Sequence, residues 1–317
     1  MTERVAAIDC GTNSIRLLIA DVDRCGGVPL RDLHREMRIV RLGEGVDATG
    51  RFSIGALERT RTALVDYAAL IEAYQAPKVR MVATSATRDA ANRDEFFAMT
   101  AEVLGAVVPG AVAEVITGVD EAELSFNGAV GELDSGAAPF VVVDLGGGST
   151  EVVLGNLGAV AASYSADIGC VRMTERCLHS DPPTADEVAQ ARAVVREKLG
   201  EALAVVPVEQ ARTWVGVAGT FTTIAALAHG LTTYDSQAIH LSRVRFGDLL
   251  RVCDELIGMT RAQRAALGPM HEGRVDVIGG GAIVVQELAA ALGERAGIDE
   301  LIVSEHDILD GIALSIP

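Results

Sequence analysis

"VVVDLGGGSTEVVLG", residues 141–155, sets an aspartate at the end of a β-branched run, follows it with three glycines and Ser-Thr-Glu, and returns to apolar residues. Both flanks have the composition of strands, and the glycine-rich link between them reads as a hairpin. A tip without Cβ atoms offers successive amide N–H groups to an anion. The aspartate at the strand end can reach a divalent cation that bridges the same anion. A dinucleotide-binding turn would pass into a helix, whereas "STEVVLG" continues as a strand. G-x-G-x-x-G and G-x-x-x-x-G-K-[ST] are both missing, which disfavours dinucleotide binding and the P-loop.

The N-terminus repeats the pattern in "VAAIDCGTNSIRLLIA", residues 5–20. Asp9-x-Gly11-x-x-Ser14 and Asp144-x-Gly146-x-x-Ser149 share one spacing, 135 residues apart, too far for a solenoid repeat and suited to a duplicated domain. One copy alone reads as a tight hairpin that needs glycines. Two copies with matched Asp and Ser point to phosphate.

Composition narrows the partners. The 317 residues are enough for two domains, and 49% apolar with 22% charged residues describe a soluble globular protein. Glu3, Arg4 and Asp9 interrupt any early apolar stretch, so no secretory leader is expected. The longest uncharged run, Thr213 to Tyr234, reads as a buried strand–turn–helix and not as a membrane span. Cys10, Cys25, Cys170, Cys177 and Cys253 form no C-x-x-C pair; they suit reduced thiols in a cytoplasm, with neither a zinc site nor a disulfide framework. A net charge of −17 argues against nonspecific nucleic-acid binding. Lys78 and Lys198 are the only lysines among 27 basic residues, so arginine and backbone amides must hold any phosphate. The arginine groups 31/35/38/41 and 243/245 read as solvated faces.

Other stretches add to this. In "VRMVATSATRDAANRDEFF" a strand and a Thr/Ser-rich turn precede a helix expected to begin near Asp89, which would put Arg88 at an anion-attracting helix N-terminus. "AEVITGVDEAELSF" is a strand, Gly118 and a helix with Asp120 and Glu121 in its first turn, where acidic residues ordinarily serve the macrodipole. "WVGVAGTFTTIAALAHG" and "VDVIGGGAIVVQELAAALG" read as two more strand–glycine–helix units, a weak hint of a nucleotide or phosphate cleft.

Together the motifs "DCGTNSIRLLI", "RLGEGV", "SATRDAAN", "ITGVDEAELSF", "VDLGGGSTEVV", "DIGCVRMTER", "GVAGTFTTIAAL" and "VSEHDILDGIAL" resemble, in order, those of the exopolyphosphatase / guanosine pentaphosphate phosphohydrolase (Ppx/GppA) family. The resemblance runs from Asp9 to about Leu314. Thr12 stands where the family more often has serine. The chain resembles the short form, without the helical HD-like C-terminal region of longer members; His306-Asp307 is read as an HD dipeptide by chance.

The resemblance implies an α/β fold of two actin-like (ribonuclease H-like) domains with an interdomain cleft, in the actin/Hsp70/sugar kinase (ASKHA) superfamily. The domains are expected at about 1–124 and 125–317, the last helix packing back on the first. It implies a terminal phosphoryl group held by Gly11, Thr12, Asn13 and Ser14 and by Gly146, Gly147, Gly148 and Ser149, with Arg16 and Arg88 for its oxygens. Arginine suits that task because its planar fork binds bidentately, although Arg16 on an alternating strand could equally face solvent. It further implies Mg²⁺ (or Mn²⁺) near Asp144 and Glu151, with Asp9 as a further ligand, and Glu121 as the catalytic carboxylate that deprotonates water. Such a site needs positioning and electrostatics but no covalent nucleophile. The substrate implied is inorganic polyphosphate, with shorter chains expected, or pppGpp; a cytoplasmic homodimer follows by analogy. An ATP-dependent phosphotransferase and a non-catalytic phosphate or alarmone sensor are the readings of other classes.

Overall fold

The computed structural model describes residues 2–24 and 30–317, so Cys25 lies outside the described residues. These divide into two compact units, residues 2–24, 30–128 and 308–317, and residues 129–307. Each is built around one mixed sheet.

In the first unit the strands are β1 (Thr2–Cys10), β2 (Ser14–Asp23), β3 (Leu30–Ile39), β4 (Lys78–Ala83) and β5 (Ala113–Val115), ordered β3-β2-β1-β4-β5. β1–β2 and β2–β3 are antiparallel, while β1–β4 and β4–β5 are parallel. Alternation decides the layers. Ala6, Ile8 and Cys10 join Leu64, Tyr67 and Phe96 of the helices Ile54–Ala73 and Arg93–Gly105 in one core. Val5 and Ala7 point the other way, against Ile308, Leu309, Ile312 and Ile316.

The terminal helix Ile308–Ser315 therefore completes this unit, not the one that precedes it in sequence. Buried Asp310 fixes its seat, taking Arg35 Nη2 at 2.5 Å and Nη1 at 3.2 Å. Gly311 allows the approach to the helix Gly118–Val130, since a Cβ there would lie 1.9 Å from the Leu124 carbonyl oxygen. Arg35 is thus part of the core's electrostatics and not of a solvated arginine face.

The second unit repeats the plan. Its strands are β6 (Phe140–Leu145), β7 (Thr150–Asn156), β8 (Ala159–Ala166), β9 (Thr213–Val217), β10 (Ser242–Arg245) and β11 (Glu300–Val303), ordered β10-β11-β9-β6-β7-β8. Apart from the added edge strand β10, this is the first sheet again: two antiparallel pairs, then two parallel ones. The repeated strand order with an antiparallel second strand is the ribonuclease H-like, actin-like plan. Val141, Val143 and Leu145 pack with residues of the helices Cys170–Cys177, Ala185–Val205 and Ile278–Ala296.

Two local expectations are corrected. "VDVIGGG" is not a strand and turn: the helix runs from Ile278 through Gly279, Gly280 and Gly281. These glycines serve close packing, because a Cβ on Gly280 would meet Thr174 Oγ1 at 2.6 Å and one on Gly281 would meet Thr220 Cγ2 at 2.7 Å. The helix expected near Asp89 is instead a short one, Ser85–Asp89, followed by an extended Ala90 and the helix Arg93–Gly105. Arg88 lies in a last turn and not at a helix N-terminus. "VGVAGTFTTIAALA" does form strand then helix, β9 and Gly219–Ala228, and among the described residues no helix is long and apolar enough to cross a membrane.

Candidate active site

Both hairpins close on the same hydrogen bond. Gly11 N–H donates to the Ser14 carbonyl at 2.9 Å, and Gly146 N–H to the Ser149 carbonyl at 3.1 Å. Behind each loop sits a buttress that binds its carbonyls. In the first unit Val40 and Arg41 N–H donate to Asn13 O, and Gly43 N–H to Thr12 O. In the second, Cys170 N–H donates to Gly146 O, Val171 and Arg172 N–H to Gly147 O, and Gly169 N–H to Gly148 O, which also accepts Arg172 Nε at 2.7 Å. With its carbonyls turned to the buttress, each loop presents its amide side to an anion.

Each buttress needs a glycine. A Cβ on Gly169 would lie 2.2 Å from the Gly147 carbonyl carbon, and one on Gly43 would lie 2.3 Å from Thr12 Cγ2. "RLGEGV" and "DIGCVR" are thus supports of the loops, a role that spacing alone did not reveal.

The residues facing each other across the strands differ in charge. In the first hairpin Asp9 stands opposite Arg16, and Asp9 Oδ2 accepts Arg16 Nη2 at 2.7 Å and Nε at 3.0 Å. Arg16 therefore turns to Asp9's side of the sheet, and the pair is neutral. In the second hairpin Asp144 stands opposite Glu151, both buried, with Ser165 Oγ donating to Glu151 Oε1 at 2.6 Å. Like charges directly opposite on a sheet repel. Two buried carboxylates on one face are hard oxygen donors, a set that suits Mg²⁺ or Mn²⁺ completed by water and phosphate oxygens.

Glu121 is one of the buried carboxylates of the first unit. Thr117 caps the helix Gly118–Val130: its N–H and Oγ1 donate to Asp120 Oδ2 at 3.1 and 2.6 Å, while Asp120 N–H donates back to Thr117 Oγ1. This reciprocal cap commits Asp120 to the helix end and holds its carboxyl below the usual range. Glu121, one residue on, faces inward. Arg88 Nη1 donates to Glu121 Oε2 at 2.7 Å and to Ile116 O at 3.1 Å. Burial dominates even so, and the Glu121 carboxyl is pushed up to about 7, with the Asp9 charge adding and Arg88 and Thr84 opposing. A carboxylate poised there is suited to general-base work.

Two hydroxyls the sequence did not mark as a pair stand out in the same unit. Thr12 Oγ1 and Thr87 Oγ1 are buried with no hydrogen-bond partner among the described residues. A buried polar atom without a partner costs about 1–3 kcal/mol, which a ligand oxygen can relieve. The first unit thus brings together Asp9, Arg16, Thr12, Arg88 and Glu121, and the second Gly146–Ser149, Asp144 and Glu151.

This arrangement has relatives. Residues 18–316 match the model of the Ppx/GppA phosphatase family. The chain belongs to that family. It is 72% identical over 314 residues to exopolyphosphatase 2 of Mycobacterium tuberculosis, covering 99% of this chain and 98% of that one. The crystal structure of an exopolyphosphatase-like protein, 44% identical, superposes with a TM-score of 0.92 over 98% of both chains. A family member from Aquifex aeolicus, 31% identical, gives 0.79 over 99% of this chain and 97% of that chain. The superpositions show that the two-sheet fold is shared with these structures.

Proposed function

We infer that this chain is an exopolyphosphatase, hydrolysing the terminal phosphoanhydride of inorganic polyphosphate and releasing orthophosphate. The observation that carries the reading is Glu121: buried, held by Arg88, raised toward neutrality and separated in role from the capping Asp120 beside it. The similarity to a named exopolyphosphatase over nearly the whole of both chains supports polyphosphate over pppGpp as substrate.

Asp144 and Glu151 would hold a divalent cation, Mg²⁺ or Mn²⁺, which would supply positive charge to offset that of the phosphate. The loop amides and the Thr12 and Thr87 hydroxyls donate to phosphate oxygens. Arg88 both positions Glu121 and offers its guanidinium to the same oxygens. Glu121 takes a proton from the attacking water as its oxygen bonds to the terminal phosphorus. The bond to the bridging oxygen breaks, and its electron pair leaves on the shortened chain. Arg16 answers the charge of Asp9, so that a buried carboxylate is not left to repel the incoming polyanion.

The test is phosphate release without any acceptor, from long polyphosphate, short polyphosphate and pppGpp side by side, with product lengths resolved on a gel. Orthophosphate release with shortening polyphosphate is expected. Release only when an acceptor is added, or only from pppGpp, would overturn the assignment.

A further inference from the structure

Outside that machinery, the described residues bring together one trio of metal-capable side chains. Glu132, His240 and His306, all in the second unit, offer ligand atoms that lie within 4.8 Å of one another. The contacts converge on the carboxylate. His240 Nε2 is 3.2 Å from Glu132 Oε2, and His306 Nδ1 is 3.3 Å from Glu132 Oε1. The two imidazole rings lie beside each other with centroids 4.5 Å apart. Tetrahedral zinc with bonds of about 2.0–2.2 Å sets its ligand atoms roughly 3.3–3.6 Å apart, so each imidazole already stands near that spacing from one carboxylate oxygen, and a small turn of the carboxylate brings a single oxygen to serve both.

We propose that Glu132, His240 and His306 form a surface site for a borderline divalent cation, zinc by preference, distinct from the hard-cation carboxylate pair Asp144–Glu151. Two imidazoles and one carboxylate select zinc, cobalt or nickel over magnesium. The side chains are partly exposed, Glu132 by 57% and His306 by 33%, so water can fill the fourth position. The histidines are held from behind. Ser304 Oγ accepts His306 N–H at 3.0 Å and donates to His306 O at 2.8 Å, and Leu241 N–H donates to Val303 O at 2.7 Å beside His240.

One contact opposes occupancy. Glu305 N–H donates to His240 Nδ1 at 3.2 Å, which leaves the ring proton on Nε2, facing Glu132. Metal binding through Nε2 moves that proton to Nδ1 and gives up the Glu305 amide bond. The site is therefore weaker than a structural zinc centre whose histidines already donate from their outer nitrogens. It is also placed to matter for the fold. Glu132 follows the chain's first passage between units, at Gly128–Ala129, and His306 precedes the second, at Asp307–Ile308. A cation here clips these two segments of the second unit together, so its expected effect is on thermal stability and not on chemistry.

The experiment is Zn²⁺ titration of the full chain by calorimetry in excess Mg²⁺, which keeps the hard-cation carboxylates filled. One equivalent should bind and raise Tm. His240→Gln, His306→Gln and Glu132→Gln should each weaken binding at least about tenfold, whereas His34→Gln, beside Glu36, should not. Polyphosphate hydrolysis in Mg²⁺ should be unchanged in these variants, and it reports that they fold. For the wild type alone, Co²⁺ should give the visible bands of a nitrogen-ligated ion and shifted proton signals from two histidines. No uptake, equal uptake in all variants, or a Co²⁺ spectrum without histidine ligation would overturn the proposal and leave the trio a hydrogen-bonded cluster.

Discussion

The two glycine hairpins share length, closing hydrogen bond and a glycine-bearing buttress, yet they differ at one cross-strand position. Arg16 faces Asp9 in the first, and Glu151 faces Asp144 in the second. One backbone plan thus yields a neutral pair in one unit and a doubly acidic pair in the other. Duplication explains the shared scaffold. The charge at a single register position is the basis of the proposed division of work, one copy suited to a phosphate without a cation and one suited to the cation itself.

Copying the first pattern into the second should break that division most severely. Glu151→Arg should pair with Asp144 and remove the cation's ligands. A bound metal contributes several kcal/mol of charge stabilisation, and each 1.36 kcal/mol is tenfold in rate, so Mg²⁺-dependent phosphate release should fall by about 10³ or more. Its melting curve reports whether the buried position accommodates the arginine, so that a lost metal response is read only on a folded variant. A stable variant that keeps its Mg²⁺ response would remove the contrast between the hairpins.

Glu121→Gln leaves both hairpins intact and tests what they serve. Loss of a general base costs about 10²–10⁴ in rate. Because the Glu121 carboxyl is raised to about 7 and must be ionised to accept a proton, wild-type kcat/KM should decline as pH falls below about 7. The glutamine variant should lose that acid limb. An unchanged limb, seen in rate–pH profiles, would assign it to another group.

The buttress glycines should give smaller, unequal effects. Gly169→Ala drives a methyl into the Gly147 backbone, which cannot yield without moving the loop. Misplacement on the order of 1 Å can cost about 10²-fold. Gly43→Ala meets mainly the Thr12 methyl, so its several-fold loss should be largely restored by adding Thr12→Ser. Equal losses at both positions, with no rescue, would mean that the backbone and side-chain contacts at the two glycines do not set the difference between the supports.

The hairpins were legible because their chemistry is local: β-branched flanks, an aspartate at the strand end and glycines at the tip recur at one spacing. The charge contrast was also present in the sequence, as Arg16 and Glu151 occupy equivalent places, but only the register shows that each looks at its aspartate. The buttresses were hidden because their work is done by backbone N–H groups far along the chain. "IGGGAIVV" misled because helix-packing glycines and turn glycines are the same residue, and only neighbours such as Thr174 and Thr220 distinguish them. Arg88 lies in the last turn of Ser85–Asp89 and not at the helix N-terminus that the local pattern suggested. Its surroundings are Glu121 and the Ile116 carbonyl, contacts that no local pattern encodes.

The most direct test of the division of labour is Mg²⁺ activation of phosphate release, compared between Glu151→Gln and Arg16→Gln at fixed polyphosphate. Replacing an anionic ligand by an amide should raise the half-saturating Mg²⁺ at least about tenfold in Glu151→Gln, because a hard cation needs charged oxygen donors. Arg16→Gln should leave that value within about twofold and instead raise KM for polyphosphate, as the Asp9 charge is no longer answered. Equal shifts in half-saturating Mg²⁺ for both variants, or none for Glu151→Gln, would contradict the assignment of the cation to the second hairpin.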